Sequence, residues 1–282
     1  MGEEEIREIE ITDQEYPQIL REIPDPPKKL FVRGNINWPD KPMIAVVGTR
    51  KQTAYGVQVT KQLVGAIASQ ACIVSGLAYG TDALAHKTAL ENGGLTWAVL
   101  GTGIDDASIY PAANRGLAWD ILKSGGALIS EQPPGAKPLP HHFPLRNRII
   151  AGLSSKVVVI EAAAESGALI TGKLGLDYNR DVLAVPGPIT SPESRGTNQL
   201  ISEGAKPVLG PSDILEIEIR QTVLNLTGPE EIVYKALGSG AKTVDELVLI
   251  TKLTPSEINA ILTLMEMQGT LVSVSGGSFA IK

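Results

Sequence analysis

The sequence predicts an α/β protein, a doubly wound parallel sheet followed by a small C-terminal winged-helix domain. Three observations carry this. From Met43 onward, short β-branched runs recur without strict alternation, the pattern of strands buried on both faces of a parallel sheet. Longer stretches with helical periodicity separate them, so strand and helix alternate. From about Leu226 that rhythm stops, and compact helices lead into a glycine-turned hairpin.

Taken in order, residues 1–40 carry a net charge of −5 and several prolines, and read as an extended lead-in. The strands are expected at Met43–Val47, Cys72–Ser75, Thr96–Leu100, Ala127–Ser130, Val157–Ile160, Val182–Val185 and Pro207–Leu209. Helical patterns run over Val57–Ser69, Thr81–Glu91, Arg115–Lys123 and Arg148–Leu153. The sheet domain is expected over 41–220. Glycines 48, 76, 101, 103 and 187 gather where these strands end, which is where ligands of such sheets bind. In the tail, assigned to 226–282, Thr254-Pro255-Ser256-Glu257 is a capping box with proline at the first helical position. Ile258, Ile261, Leu262 and Met265 then share one helix face, and Gly269 stops the helix. Leu271–Val274, Gly276-Gly277 and Phe279–Ile281 read as the wing.

Composition narrows the function. Over 282 residues, 43% are hydrophobic and 20% charged, which excludes disorder for most of the chain. Cys72 is the sole cysteine, so neither an intramolecular disulfide nor a cysteine-rich zinc site can form. The acidic start is unlike a signal peptide, and no apolar run is long enough to cross a bilayer. The reading is a soluble, cytoplasmic protein without a membrane partner. The net charge of −6 sits mostly at the N-terminus. That leaves the middle free to hold a local basic patch.

Several familiar chemistries lack their residues. Gly48-Thr49-Arg50-Lys51 follows the first strand of the sheet domain without the further glycines of a dinucleotide fingerprint. Gly167–Lys173 imitates a P-loop, but Leu174 stands where a magnesium-holding hydroxyl belongs, and the segment reads as a glycine-started helix. His86, His141 and His142 lack metal-ligand spacing, and no Gly-x-Ser-x-Gly elbow exists. No cofactor or metal is expected. What remains is cationic. Arg50 and Lys51 follow a strand directly, beside a helix N-terminus that favours an anion. Arg146-Asn147-Arg148 is expected to open the helix after the fourth strand. Phe143 stands just before it, one of only 3 Phe, 3 Trp and 6 Tyr, and could stack on a base. A core role for Phe143 and an ion-pair role for Arg148 are the structural alternatives.

These motifs resemble the DprA/Smf family of DNA-processing proteins. The resemblance is carried by Val46–Arg50 with Tyr55-Gly56, by Ser75–Asp82 with Ala85-His86, and by Gly101-Thr102-Gly103 with Tyr110-Pro111 and Asn114. It continues through Ser130-Glu131, Pro133-Pro134-Gly135, Phe143–Ser154, Glu161-Ala162, Ser166–Thr171, Val185-Pro186-Gly187 and Gly196-Thr197-Asn198. It spans residues 25–210 in order. It implies an extended Rossmann-like domain that binds single-stranded DNA, forms a homodimer and helps load the RecA recombinase during natural transformation, without catalysis. By motif position, Gly48, Thr49 and Arg50 would form a phosphate pocket with Gly76 nearby. Phe143 would stack on a base, Arg146 and Asn147 would shape the groove, and Lys137 and Arg115 are further candidate cations.

Two departures stand out. Tyr79 replaces an arginine usual in the family, and is offered as a stacking group instead. Too few residues precede Phe31 for the helical N-terminal domain many members carry. The winged helix has no Lys or Arg over Ser256–Gln268, so a protein-binding or auxiliary role is expected rather than duplex reading. The competing function is a phosphoribohydrolase-like nucleotide-processing enzyme on the same fold. It would need Glu161 as acid or base, although the Ser166–Thr171 segment lacks that family's glycine pair.

Overall fold

The computed structural model describes residues 5–37, 39–215, 228–238, 240–267, 271–274 and 277–281. Two compact units divide the chain, Met1–Ile217 and Glu218–Lys282. The expected boundary between 220 and 226, Gly269 and Gly276 lie outside the described residues.

In the first unit the elements run β1 (Arg7–Glu10), α1 (Gln18–Arg21), β2 (Lys29–Gly34), β3 (Met43–Val47), α2 (Ala54–Ile67), β4 (Cys72–Ser75) and α3 (Thr81–Glu91). They continue through β5 (Leu95–Leu100), α4 (Arg115–Lys123), β6 (Ala127–Ser130), α5 (His142–Leu153), β7 (Lys156–Val159), α6 (Gly167–Asp177), β8 (Asp181–Ala184), α7 (Arg195–Ser202), β9 (Lys206–Pro207) and α8 (Pro211–Ile214). The sheet order is β1-β2-β6-β5-β4-β3-β7-β8-β9. Strands β3 to β9 pair in parallel.

Alternation along each strand sends its side chains to opposite faces. Met43, Ala45 and Val47 join a core with Ile149, Ile150 and Leu153 of α5 and Leu169 of α6. Ile44 and Val46 join Leu63, Val64 and Ile67 of α2 with Ala85 and Ala89 of α3. From β3 the chain winds outward through β6, then α5 carries it back to β7 on the other side of β3. The order therefore reverses between β3 and β7, the topological switch point of such a sheet.

The 1–40 segment is more than a lead-in. Strand β2 extends the sheet antiparallel to β6, with Phe31 opposite Ser130, and β1 pairs antiparallel with β2. Arg33 anchors β2: it is buried, donates to Asp106 at 2.6 Å, and stacks 4.5 Å from the Trp119 ring centroid.

The second unit holds α9 (Pro229–Leu237), β10 (Lys242–Thr243), α10 (Val244–Thr251), α11 (Pro255–Met267), β11 (Leu271–Val274) and β12 (Ser278–Ile281). Its sheet order is β10-β12-β11, and the helices pack Val233, Leu247, Ile258, Leu262 and Met265 into one small core with Leu271. Glu257 closes its capping box by accepting from Thr254 N at 2.8 Å, and this bonding holds its carboxyl below the usual range. This is the winged helix, wing included. No single helix among the described residues is long and apolar enough to cross a membrane.

Candidate nucleic-acid interface

A cleft of about 740 Å³ opens at the carboxyl ends of β3 and β7, at the switch point. Its first wall is the loop after β3. Gly48 must be glycine because a Cβ there would strike the Thr81 side chain. Gly80, at φ +73°, brings the start of α3 against the Thr49 carbonyl, which accepts from Thr81 N and Thr81 Oγ1, each at 3.2 Å. The Thr49 hydroxyl accepts from Lys51 N at 3.2 Å. Among the described residues, the backbone N–H groups of Thr49 and Arg50 find no acceptor, and no carboxylate pairs with Arg50 or Lys51. Both side chains are exposed. The loop therefore offers two unengaged amides and two unpaired cations.

The helix that follows offers less than the sequence suggests. Thr53 caps α2 by accepting from Gly56 N at 3.1 Å, and donates its own hydroxyl to buried Glu161 at 2.5 Å. Thr53 N donates to the same carboxylate at 3.1 Å. The expected helix-end contribution is thus taken by an internal anion, and Glu161 is a cap.

The second wall is α5. It opens at His142, so Arg146, Asn147 and Arg148 lie in its middle rather than at its start, and all three are buried. Pro144 sits in the first turn, where a missing N–H costs nothing. Phe143, Arg146, Asn147 and Ile150 fall at i, i+3, i+4 and i+7 and line the cleft together. Phe143 is half-buried, with Arg50 Cζ 5.8 Å from its ring centroid, a cation–π contact spanning the two walls. The ring of exposed Tyr110 lies 5.9 Å from it.

Beneath Phe143 the polar residues hold the frame. Arg146 Nη1 donates to the Gly76 and Val99 carbonyls at 2.6 and 2.5 Å, tying the ends of β4 and β5 to α5. Burial pushes its pKa down, countered by Asp82. Asp82 is buried too and accepts from Gly76 N at 3.1 Å; burial raises its carboxyl, and Arg146 pulls it back. Asn147 donates to the Gly167 carbonyl at 3.2 Å and fixes the start of α6. Arg148 makes a two-pronged ion pair with Glu131, both contacts at 2.7 Å, which is the structural alternative for that residue.

Of the expected site residues, Gly48, Thr49, Arg50, Phe143, Arg146 and Asn147 meet at the cleft. Gly76 and Lys137 do not. Gly76 is buried beneath the Arg146 guanidinium, and Lys137 is exposed on the loop before α5, away from the lining. Arg115 donates to the Ala107 carbonyl at 2.9 Å. Tyr79 is 49% exposed and also outside the lining. Lys51, named with Arg50 in the sequence, lines the cleft as well, and Asp82 is a lining residue the sequence reading did not single out; Tyr110, from a quoted motif, stands outside the lining beside Phe143. The P-loop look-alike is α6, begun by Ser166 accepting from Leu169 N at 3.3 Å, with Gly172 and Gly175 packed on the sheet. His86 bonds Thr96 Oγ1 at 2.6 Å in the core, and the described residues hold no metal-binding cluster.

Residues 7–218 match the DNA recombination-mediator protein A family, and residues 220–277 match the DprA winged helix domain. The chain belongs to the DprA/Smf family. The DNA processing protein DprA of Streptococcus pneumoniae is 45% identical over 205 residues, 73% of this chain and 72% of that protein. Protein Smf of Escherichia coli is 44% identical over 202 residues, 71% of this chain but only 54% of the relative. Among solved structures, Streptococcus pneumoniae DprA superposes with a TM-score of 0.71 at 42% identity, covering 76% of this chain and 75% of that one. The Helicobacter pylori DprA, a structure described for its single-stranded DNA binding mode, gives 0.66 at 29% identity, covering 79% and 99%. The DprA/Smf assignment makes this chain one of a family of DNA recombination mediators.

Proposed function

We propose that the switch-point cleft binds single-stranded DNA without catalysis, and that the protein acts in the cytoplasm as a homodimer that helps load RecA onto the strand. The observation that carries the binding step is the Arg50–Phe143 contact at 5.8 Å, beside the unengaged Thr49 and Arg50 amides. Arg50 and Lys51 neutralise phosphates, Phe143 takes a base, and Arg146 and Asn147 hold the walls without touching DNA. Two grooves in a dimer would raise avidity through effective concentration. The winged helix serves as a protein-binding or auxiliary element. Its α11 exposes Glu257 and Glu266 and carries no cation among the described residues.

The nucleotide-processing alternative is not favoured. Its acid/base is locked as a helix cap, and the segment that should form its glycine loop is helical.

Fluorescence anisotropy of labelled oligo-dT across a salt series tests the reading, with matched duplex alongside. Tight, salt-sensitive binding of the single strand and weak binding of the duplex is the expected result. No binding at low salt would overturn it.

A further inference from the structure

Phe143 does not stand alone at the cleft. Gly101 packs closely against its ring: an added Cβ there would lie 3.2 Å from Phe143 Cδ1. Arg50 Cζ lies 5.8 Å from the ring centroid and the Tyr110 ring 5.9 Å, inclined at 51°. Tyr110 is 45% exposed, and no hydrogen bond of its hydroxyl is recorded among the described residues. A half-exposed aromatic ring beside the cleft aromatic offers a face on which a base can stack. Tyr79, also exposed, has no aromatic partner among the described residues.

The inclination of the rings says what ligand fits. Successive bases in a duplex strand lie nearly parallel, whereas the two rings are inclined at 51° to each other, so stacked duplex neighbours cannot both lie face-on to them. A single strand can be drawn out until successive bases part, and each base can then cover one ring. We infer that Tyr110 is a second base-stacking platform, taking the nucleotide next to the one on Phe143, so that the two inclined rings select a splayed single strand over a duplex. This rests on the single-stranded DNA reading above and adds a residue and a strand geometry to it.

The test uses the full chain and short oligo-dT strands carrying one 2-aminopurine at each position in turn. Stacking on a ring quenches this fluorophore. The unmodified protein should quench it at two adjacent positions. Tyr110→Ala should lose one of these, keep the other, and raise Kd about 5- to 150-fold, the loss of one base–aromatic stack. Tyr110→Phe should restore both, because the hydroxyl is not used. Salt dependence should be unchanged in either variant, unlike a phosphate-contact variant. If Tyr110→Ala binds as tightly and still quenches at both positions, or loses both together, Tyr110 is not a separate platform. If the unmodified protein binds no single strand at all, the underlying reading fails instead.

Discussion

Replacing Gly76 with alanine tests how the cleft is built. The new Cβ would run into the Arg146 guanidinium, which is buried and bonded to the Gly76 and Val99 carbonyls. Arg146 can move only by giving up those bonds. Hydrogen bonds from a charged donor contribute about 1.5–3 kcal/mol each. The displaced cation recovers part of that from water in the cleft it lines, so the net loss should be about 3 kcal/mol. For a unit of this size, each kcal/mol shifts Tm by about 2–4 °C, giving a fall of about 6–12 °C. Tryptophan fluorescence reads the correct unit, because Trp38, Trp97 and Trp119 all precede residue 218. The same change made in an Arg146→Met background should cost much less, since the obstacle is gone. Assayed well below its Tm, Gly76→Ala should keep the parent's salt slope for oligo-dT, because Gly76 reaches no phosphate. An unchanged Tm, or an equal fall in both backgrounds, would refute the clamp. A flattened salt slope would return Gly76 to the phosphate pocket.

Three further outcomes are expected. Arg50→Ala should weaken oligo-dT binding and flatten the log–log salt slope by about 0.7, so about 2.6-fold of the affinity change between 50 and 200 mM salt disappears; an unaltered slope in titrations would show that Arg50 meets no phosphate. Glu161→Gln should lower stability by about 1–2 kcal/mol through the damaged α2 cap, as read by urea unfolding, while DNA affinity holds or rises; weakened DNA binding would contradict the cap assignment. Burial holds His86 at about 3, below its unfolded value of about 6.5, so the unfolded state binds more protons between these values. Stability from this group is full above about 6.5 and drains away as pH falls toward 3, at up to about 1.4 kcal/mol per unit. The variant His86→Gln should lack that component in unfolding measured from pH 7 to 4. Asp82, whose raised carboxyl acts in the opposite sense, is common to both proteins.

The parallel strands were legible because each is short, β-branched and bounded by glycine or polar residues; β3, β4 and β6 fall on their expected residues. What failed depended on partners distant in sequence. β1 reads Arg-Glu-Ile-Glu, with only Ile9 turned inward, and nothing local announces that it will pair with β2. The helical pattern reads only from Arg148, six residues after α5 begins, because the polar and proline-containing turn over 142–145 shows no apolar periodicity, although proline in a first turn is harmless. That shift made Arg146 look like a groove cation when it is a buried clamp. The switch point itself follows from strand order, which periodicity does not encode. Tyr110 could have been suspected from its motif, but its neighbour Phe143 lies 33 positions away and is brought close only by the sheet.

The Glu161 cap has a consequence for competition inside a cell. In many sheets of this class, the helix after the first strand greets a terminal phosphate with its open amides, so any abundant mononucleotide can lodge there. Here that berth already holds a carboxylate fixed to Thr53. A free nucleotide placing its phosphate there would meet a filled seat and a like charge. A polymer loses the same seat but adds contacts along its length. The internal anion would thus disfavour a lone phosphate at the start of α2 while leaving Arg50 and Lys51 to a strand.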